Sequence, residues 1–218
     1  MTVEAPLPPR APEIPASLPA ADPEAVAAKR LLDEEELNGA DLAGRPLRNL
    51  KLRGSRLRAV DLSGAELAGL DAADVILQEG SLANARAEQG MLVRLEATGV
   101  RATGAGFTEA RLADCTFSDC RLDLAAFRYS ELERVAFRDC RLEEADFYGA
   151  RLRSVSFERC TLKGAIVSHA VLEHCELRGC ELEGLVGIDR LAGSRMPLAD
   201  VIQIAGLLAT AAGIEVVD

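Results

Sequence analysis

The sequence predicts an all-β solenoid, a rod of short strands wound around one core, and three observations support this prediction. A large apolar residue, usually Leu or Phe, returns at every fifth position between Leu42 and Leu182. The residue two places before it is mostly small or apolar, and Gly or Asn often stands two places after it. Helices repeat at three or four residues and amphipathic strands at two, so a period of five indicates a minimal strand followed by a tight corner.

The size of one coil follows from two longer periods in the sequence. Cysteine recurs at positions 120, 140, 160 and 180, and the large residues alternate between Phe and Leu from position 107 to 162. Four units of five residues per coil would stack these cysteines on one corner. They would also place Phe107, Phe127 and Phe147 on one wall and the intervening phenylalanines on the opposite wall. The sequence therefore predicts a square coil in which like residues stack over like.

Several units match the repeat of a known family. The stretches GADLA, AVDLS, GAELA and EADFY resemble the A-[DN]-L-x-x pattern of the pentapeptide-repeat proteins. The resemblance covers residues 40–184, about two thirds of the chain. It implies a right-handed quadrilateral β-helix with twenty residues in each coil, and it implies binding to a protein partner.

The chain divides into four predicted segments. Residues 1–21 contain six prolines, which predicts a disordered or extended tail. Asp22 and Pro23 favour a helix start and Gly39 a helix stop, so residues 22–39 are predicted to form an N-terminal capping helix. The β-helix is expected over residues 40–186, and residues 187–218 are expected to form a C-terminal helix, cap and dimerisation module.

One stretch of the predicted coil is poor in large side chains. Alanine replaces the large residue at positions 72, 87, 97 and 102, and Gly80 and Gly90 occupy inward positions. Residues 70–106 should therefore be less tightly packed, or part of the stretch should leave the coil as a loop. We favour an intact but weaker segment, because the period of five continues on both sides.

The C-terminal segment contains a helix that is apolar nearly all round, from Pro197 to Gly213. One side could close the end of the solenoid, and a second apolar side favours a homodimer. The dimerisation residues predicted are Val201, Ile204, Ala205 and Leu208. The LAGSR step, the Ala-rich helix and the exit through Gly213 also resemble the C-terminal dimer module of the mycobacterial fluoroquinolone-resistance pentapeptide protein.

The sequence predicts no catalytic residue, no cofactor and no metal site. The cysteines would fill small apolar positions of a packed interior, where they can neither converge on an ion nor reach disulfide geometry. His169 and His174 are five residues apart and would fall on neighbouring walls. The Ser/His/Asp and Cys-x-x-Cys arrangements are missing, and a narrow rod offers no cleft to desolvate paired acids. We therefore expect a protein that is not an enzyme.

The charge of the chain is uneven. Of the formal net charge of −10, half belongs to residues 1–37, which contain eight acidic and three basic residues. Along the predicted rod the signs alternate, as in the stack of Arg111, Glu131 and Arg151. Alternation favours pairing between coils and weakens DNA mimicry, which needs a continuous negative stripe. Membrane spans and direct nucleic-acid binding are not expected, and the cytoplasm is the expected compartment.

One wall differs from the others in composition. Both tyrosines of the chain fall on it, and the predicted protein-binding residues are Tyr129, Tyr148, Arg128 and Ile166. Outward Tyr and Arg beside small residues are typical of interface hot spots. The sequence thus predicts an interaction scaffold. The alternative, implied by the resemblance, is a DNA mimic that binds DNA gyrase and regulates it or confers fluoroquinolone resistance.

Overall fold

The protein is a square parallel β-solenoid closed by short helices at both ends. The computed structural model describes residues 3–216. Helix α1 spans Pro23–Lys29, and a 3₁₀ helix (Ile188–Leu191) precedes α2 (Leu198–Gln203) and α3 (Ala205–Ala211). Strands β1 to β10 span Leu31–Asp33, Glu36–Asn38, Lys51–Arg58, Asp71–Gln78, Met91–Thr98, Arg111–Ser118, Glu131–Arg138, Arg151–Glu158, Val171–Glu173 and Glu176–Arg178.

Each coil has four walls and twenty residues. The strands form walls A and B, centred on the inward residues Leu52 and Leu57 of β3, and every pairing is parallel with a register of twenty, as in Leu52 with Ala72. Walls C and D are centred on Leu62 and Leu67 and consist of single bridges, such as Asp61 with Ser81. Residues two places after each centre form the corners. The predicted coil size and wall assignments are therefore confirmed.

The core is one continuous stack of inward side chains. Phe117, Phe137 and Phe157 stack on wall B with ring centroids 5.1 Å apart, and Phe127 and Phe147 stack 4.9 Å apart on wall D. The two stacks meet edge to face across the interior at 5.9–6.5 Å. Offset and edge-to-face packing adds to the stabilisation by burial, because ring edges are positive and ring faces negative.

The alanine-rich stretch stays in the coil, as the sequence analysis favoured. β4 and β5 pair over their full length with their neighbours, and no loop leaves the solenoid between residues 70 and 106. An apolar cavity of about 30 Å³ lies inside these coils, lined by Ala72, Ala87, Ala97 and Ala102 among others. The missing side-chain volume is thus left as a void, because the backbone spacing is fixed by the hydrogen bonds between coils.

The predicted N-terminal capping helix over residues 22–39 is wrong beyond Lys29. Arg30 has a φ of 53° and ends α1, and β1 and β2 follow at once. Leu32 and Leu37 are fully buried and extend the period of five back from Leu42. The coil is favoured over a longer helix because Leu32 pairs with Leu52 and Leu37 with Leu57, which gains strand hydrogen bonds and buries both side chains.

Of the two alternatives for residues 1–21, disordered or extended, the part that the structure describes is extended rather than disordered. Residues 3–21, which we call the N-terminal arm, lie along the solenoid. Glu36 pairs with the backbone at both Pro19 and Ala21, and Arg10 binds Asp114 on the fourth long strand. Composition predicted a free segment because prolines form no regular structure, but it could not reveal these polar partners far along the chain.

The C-terminal segment closes the far end of the solenoid as two short helices rather than one. Ile188, Leu191 and Ile204 are buried against the last coil, and the Asp200 carboxylate accepts a hydrogen bond of 2.6 Å from the Gly179 N–H. The chain bends at Ile204, which ends α2 with a φ of −105°. Within residues 3–216, no helix has both the length and the apolar character needed to span a bilayer.

Candidate functional site

An aromatic cluster occupies the edge between walls D and A. Tyr129 stands at the corner, and Tyr148 lies on wall D of the next coil with its ring centroid 5.6 Å away at 83°. His169, at the corner one coil further, is 5.0 Å from Tyr148. We call these three residues and Arg128 the aromatic corner. More than half of the Tyr129 surface is exposed, so the cluster faces solvent.

Arg128 holds the two tyrosines in place. Its guanidinium carbon lies 5.1 Å from the Tyr148 ring centroid and 6.0 Å from that of Tyr129. A salt bridge of 3.3 Å joins Arg128 to Asp146, and the other carboxylate oxygen of Asp146 accepts a hydrogen bond from the Tyr148 N–H. The guanidinium, both rings and the carboxylate are therefore already ordered relative to one another, so little conformational entropy would be lost on binding.

Gly149 allows the Tyr129 ring to lie flat over the next corner. A Cβ atom at position 149 would stand 2.7 Å from Cδ1 of Tyr129, which is closer than two carbons can approach. Gly149 also has a φ of 66°, a value that glycine adopts at low cost. A side chain at this corner would therefore displace the ring from the aromatic corner.

Wall D continues the surface beside the tyrosines with small and apolar groups. Ile166 pairs with Asp146 from the next coil and is half-buried. Leu124, at the other edge of wall D, is 56% exposed and has a φ of 59°. The sequence analysis missed Leu124. The signal was a large apolar residue at a corner position, where the other corner residues are mostly Gly, Asn or charged, and an exposed apolar residue in the left-handed region suggests a role in binding.

The predicted dimerisation residues do not form one exposed face. Ile204 lies in the end of the core, and Leu208 packs against it, while Val201 is half-buried and Ala205 is exposed. The exposed apolar side chains of α2 are Leu198 at 75% and Ile202 at 66%. The prediction that Ile204 contacts a second copy is thus corrected, because Ile204 closes the end of the solenoid. The outward side of α2 carries Leu198 and Ile202 instead.

The remaining chemical groups form no reactive cluster. All six cysteines are buried and unpaired, and burial raises the pKa of the Cys115 thiol to about 12 and that of Cys175 to about 11. The thiols donate to backbone carbonyls, as Cys140 does to Phe117 at 3.4 Å. Among residues 3–216, His, Cys, Asp and Glu do not gather into a set that could hold a metal ion.

The deepest ionic group outside the aromatic corner is Asp114, at the corner between walls A and B. Its side chain is fully buried and accepts hydrogen bonds from Arg134 at 2.7 and 3.0 Å and from Arg10. Burial alone would raise the pKa of Asp114, but the hydrogen bonds from Arg134 and Arg10 outweigh it and hold the pKa well below its usual range. The sequence analysis missed this residue, because its partner Arg10 is 104 positions away.

Two protein-family models match part of the repeat. Residues 98–167 match the model of a pentapeptide repeat region, and residues 156–185 match that of pentapeptide repeats. Residues 98–185 of the chain therefore consist of pentapeptide repeats. Comparison with the curated protein sequences finds no match for this pentapeptide-repeat protein.

Several solved structures are similar to this chain. HetL, from the cyanobacterium Nostoc sp. strain PCC 7120 and involved in heterocyst differentiation regulation, is 23% identical, with 77% of this chain and 90% of that chain covered and a TM-score of 0.38. Full-length QnrB1, a plasmid-mediated fluoroquinolone resistance protein, is 19% identical, with 82% and 89% covered and a TM-score of 0.45. Rfr23 from the cyanobacterium Cyanothece 51142 is 13% identical, with 80% and 92% covered and a TM-score of 0.22.

Charges on the walls of this pentapeptide-repeat protein are largely paired between neighbouring coils. Arg94 binds Asp74 at 2.5 Å, and Arg159 binds Asp139 at 2.7 Å. Arg48 reaches Glu66 at 2.9 Å. Each carboxylate of these pairs lies next to a guanidinium, so the acidic residues do not add up to a continuous negative stripe along the rod.

Proposed function

We propose that this protein is a non-enzymatic interaction scaffold that binds a protein partner through the aromatic corner. The observation that supports this proposal is the arranged set of Tyr129, Tyr148 and Arg128 on an exposed edge of a rigid rod. Tyr and Arg dominate the binding energy of many interfaces, because they bury much surface with few free torsions. Ile166 on wall D and Leu124 at its far edge would supply additional apolar surface.

Affinity capture from the native host tests this proposal. The wild-type protein should retain a partner that Tyr148→Ala loses by a factor of about ten or more, the usual effect of removing a hot-spot tyrosine. Thr108→Ala is the matched control, because Thr108 occupies the same wall and the same position two coils earlier. Capture that is equal for wild type, Tyr148→Ala and Thr108→Ala would remove the aromatic corner as the contact, provided that all three proteins melt at the same temperature.

Gyrase binding by DNA mimicry is the alternative proposal. It comes from the resemblance to the pentapeptide-repeat family, and the paired charges of the walls weigh against it. A supercoiling assay with purified gyrase separates the two functions. Inhibition, or protection from quinolones, at micromolar protein would favour the mimic, and the scaffold proposal expects neither.

We also propose that two copies of the chain form a homodimer through the C-terminal helices. Leu198 and Ile202 on α2 are the apolar side chains available to a second copy. Ile202→Asp should shift the sedimentation equilibrium to monomer, because burial of a charge in an apolar interface is costly. Gln203→Asp, at the next and equally exposed position, is the control. A wild-type protein that sediments as a monomer at micromolar concentration would overturn this part of the proposal.

A further inference from the structure

The N-terminal arm follows the whole length of the solenoid. Its polar contacts lie two coils apart as the arm sequence runs backwards: Glu36 with Pro19 and Ala21, Asp74 with Glu13, and Asp114 with Arg10. Three coils further, Glu4 passes 3.8 Å from Nδ1 of His174. These partners lie on wall B or at its corner with wall A. The arm is therefore an extended peptide laid in one groove, which we call the arm groove.

One side chain of the arm, Arg10, binds a buried carboxylate of the solenoid. The Arg10 Nε and Nη2 atoms donate to Asp114 Oδ2 at 3.0 and 2.6 Å, and the Arg10 backbone N–H donates to Oδ1 at 3.2 Å. Asp114 is completely buried although it stands at a corner of the rod. Arg134 binds both oxygens of the same carboxylate from the next coil and fixes its orientation. Arg134 thus orients the Asp114 carboxylate toward the Arg10 guanidinium.

The rest of the arm is held loosely. No residue from 3 to 20 is buried, and Leu7 is 61% exposed. A hollow of about 300 Å³ remains where the arm passes wall B, lined by Pro8, Pro9 and Ala11 from the arm and by Thr98, Thr116 and Ser118 from the wall. This segment rests on polar contacts, and none of residues 3–20 belongs to the apolar core.

The sequence of the arm suits a peptide ligand. Prolines predispose the chain to the extended polyproline conformation, so little entropy is lost when it binds along a groove. Proline also lacks an N–H, which leaves few backbone donors unpaired on a hydroxyl-lined wall. Specificity then comes from the charged anchor, Arg10 on Asp114, and from the backbone N–H of Glu13 on Asp74 at 3.0 Å.

We propose that the arm groove is a binding site for extended, proline-rich peptides that contain an arginine, and that the N-terminal arm is its ligand bound in cis. A partner that presents such a segment would place its arginine on Asp114 and displace the arm. This site is separate from the aromatic corner, because Asp114 stands at the corner between walls A and B whereas Tyr129 stands between walls D and A.

A labelled peptide with the sequence of residues 3–21 tests the proposal by fluorescence anisotropy. The peptide should bind the full-length Arg10→Ala variant about ten times more tightly than the wild type, because the wild-type arm competes at a high effective concentration. The substitution lies in the arm and touches no core residue, so the folding of the solenoid is not at risk. A peptide in which the arginine is replaced by alanine should bind neither protein.

Two aspartates provide a matched pair within the solenoid. Asp114 and Asp119 both stand at corners with positive φ and both precede a buried cysteine, but only Asp114 contacts the arm. In the Arg10→Ala background, Asp114→Asn should abolish peptide binding and Asp119→Asn should retain it. Absence of saturable binding to Arg10→Ala, or binding that does not depend on the peptide arginine, would overturn the proposal.

Discussion

At the scale of single residues, the corner positions decide how the rod is built and what it can bind. Many corners are occupied by residues other than glycine with positive φ, including Asp114 at 57° and Tyr129 at 56°. Such conformations cost about 1–2 kcal/mol each, and here the ladders of hydrogen bonds between coils hold them in place. Corners thus place polar and aromatic side chains at the edges of the rod, and both candidate sites include corner residues.

Replacement of Asp114 by Asn should make stability depend less on pH. The charged groups that act on Asp114 are Arg134, Arg10 and Arg94, and the hydrogen bonds from Arg134 and Arg10 lower its pKa in spite of burial. Glu133 binds Arg134. A lowered folded-state pKa gives stability that is complete above the unfolded pKa of about 4 and is lost as the pH falls through the folded value.

The measurement is the free energy of unfolding in urea at pH 7 and at pH 3. Asp114→Asn should cost about 2 kcal/mol at pH 7, the usual contribution of hydrogen bonds to a charged group, and clearly less at pH 3. Asp119→Asn serves as the control, with an effect that is small at both values. A deficit for Asp114→Asn that stays constant with pH would show that the ionised carboxylate is not what stabilises this corner.

At the scale of the coil, the period of five specified the walls, the core and the register. Stacked phenylalanines and inward cysteines occupy the positions predicted for them, because identical side chains pack well over each other when parallel strands pair without a shift. The ends of the rod were harder to predict. Leu32 and Leu37 satisfy the repeat but also suit a helix, and only pairing with β3 decides between the two.

Filling the apolar cavity should stabilise the alanine-rich coils. Ala97 lies on wall B between Leu77 and Phe117 and lines the cavity. Ala97→Val adds volume where space exists and suits a strand, so it should raise the free energy of unfolding by about 1 kcal/mol.

Ala145 lies in a tightly packed part of the core and serves as the comparison for Ala97. Ala145 is fully buried in the phenylalanine-rich coils, so Ala145→Val should destabilise the protein by about 1–3 kcal/mol through overpacking. Urea denaturation of both variants checks the pair of predictions. Changes of the same sign and size would indicate that the two regions are equally well packed.

At the scale of the whole molecule, the rod has two separate candidate surfaces, the aromatic corner and the arm groove. The sequence predicted that Tyr129, Tyr148, Arg128 and Ile166 lie close together, since the coil size assigns each residue to a wall; that they bind a partner stays a prediction. The arm groove could not be predicted, because the contact between Arg10 and Asp114 depends on the three-dimensional path of a proline-rich segment. The period of a repeat predicts the geometry of its coils, whereas the sequence of a segment outside the repeat does not predict where that segment lies.

Site-specific photocrosslinking tests the central claim, a protein partner bound at the aromatic corner. The crosslinker p-benzoylphenylalanine replaces Tyr148 in one protein and Thr108 in a second, and both are irradiated in the native host. The account predicts one covalent adduct with a single protein from position 148, and no such adduct from position 108 on the same wall. No adduct from position 148, or the same adduct from both positions, would contradict it.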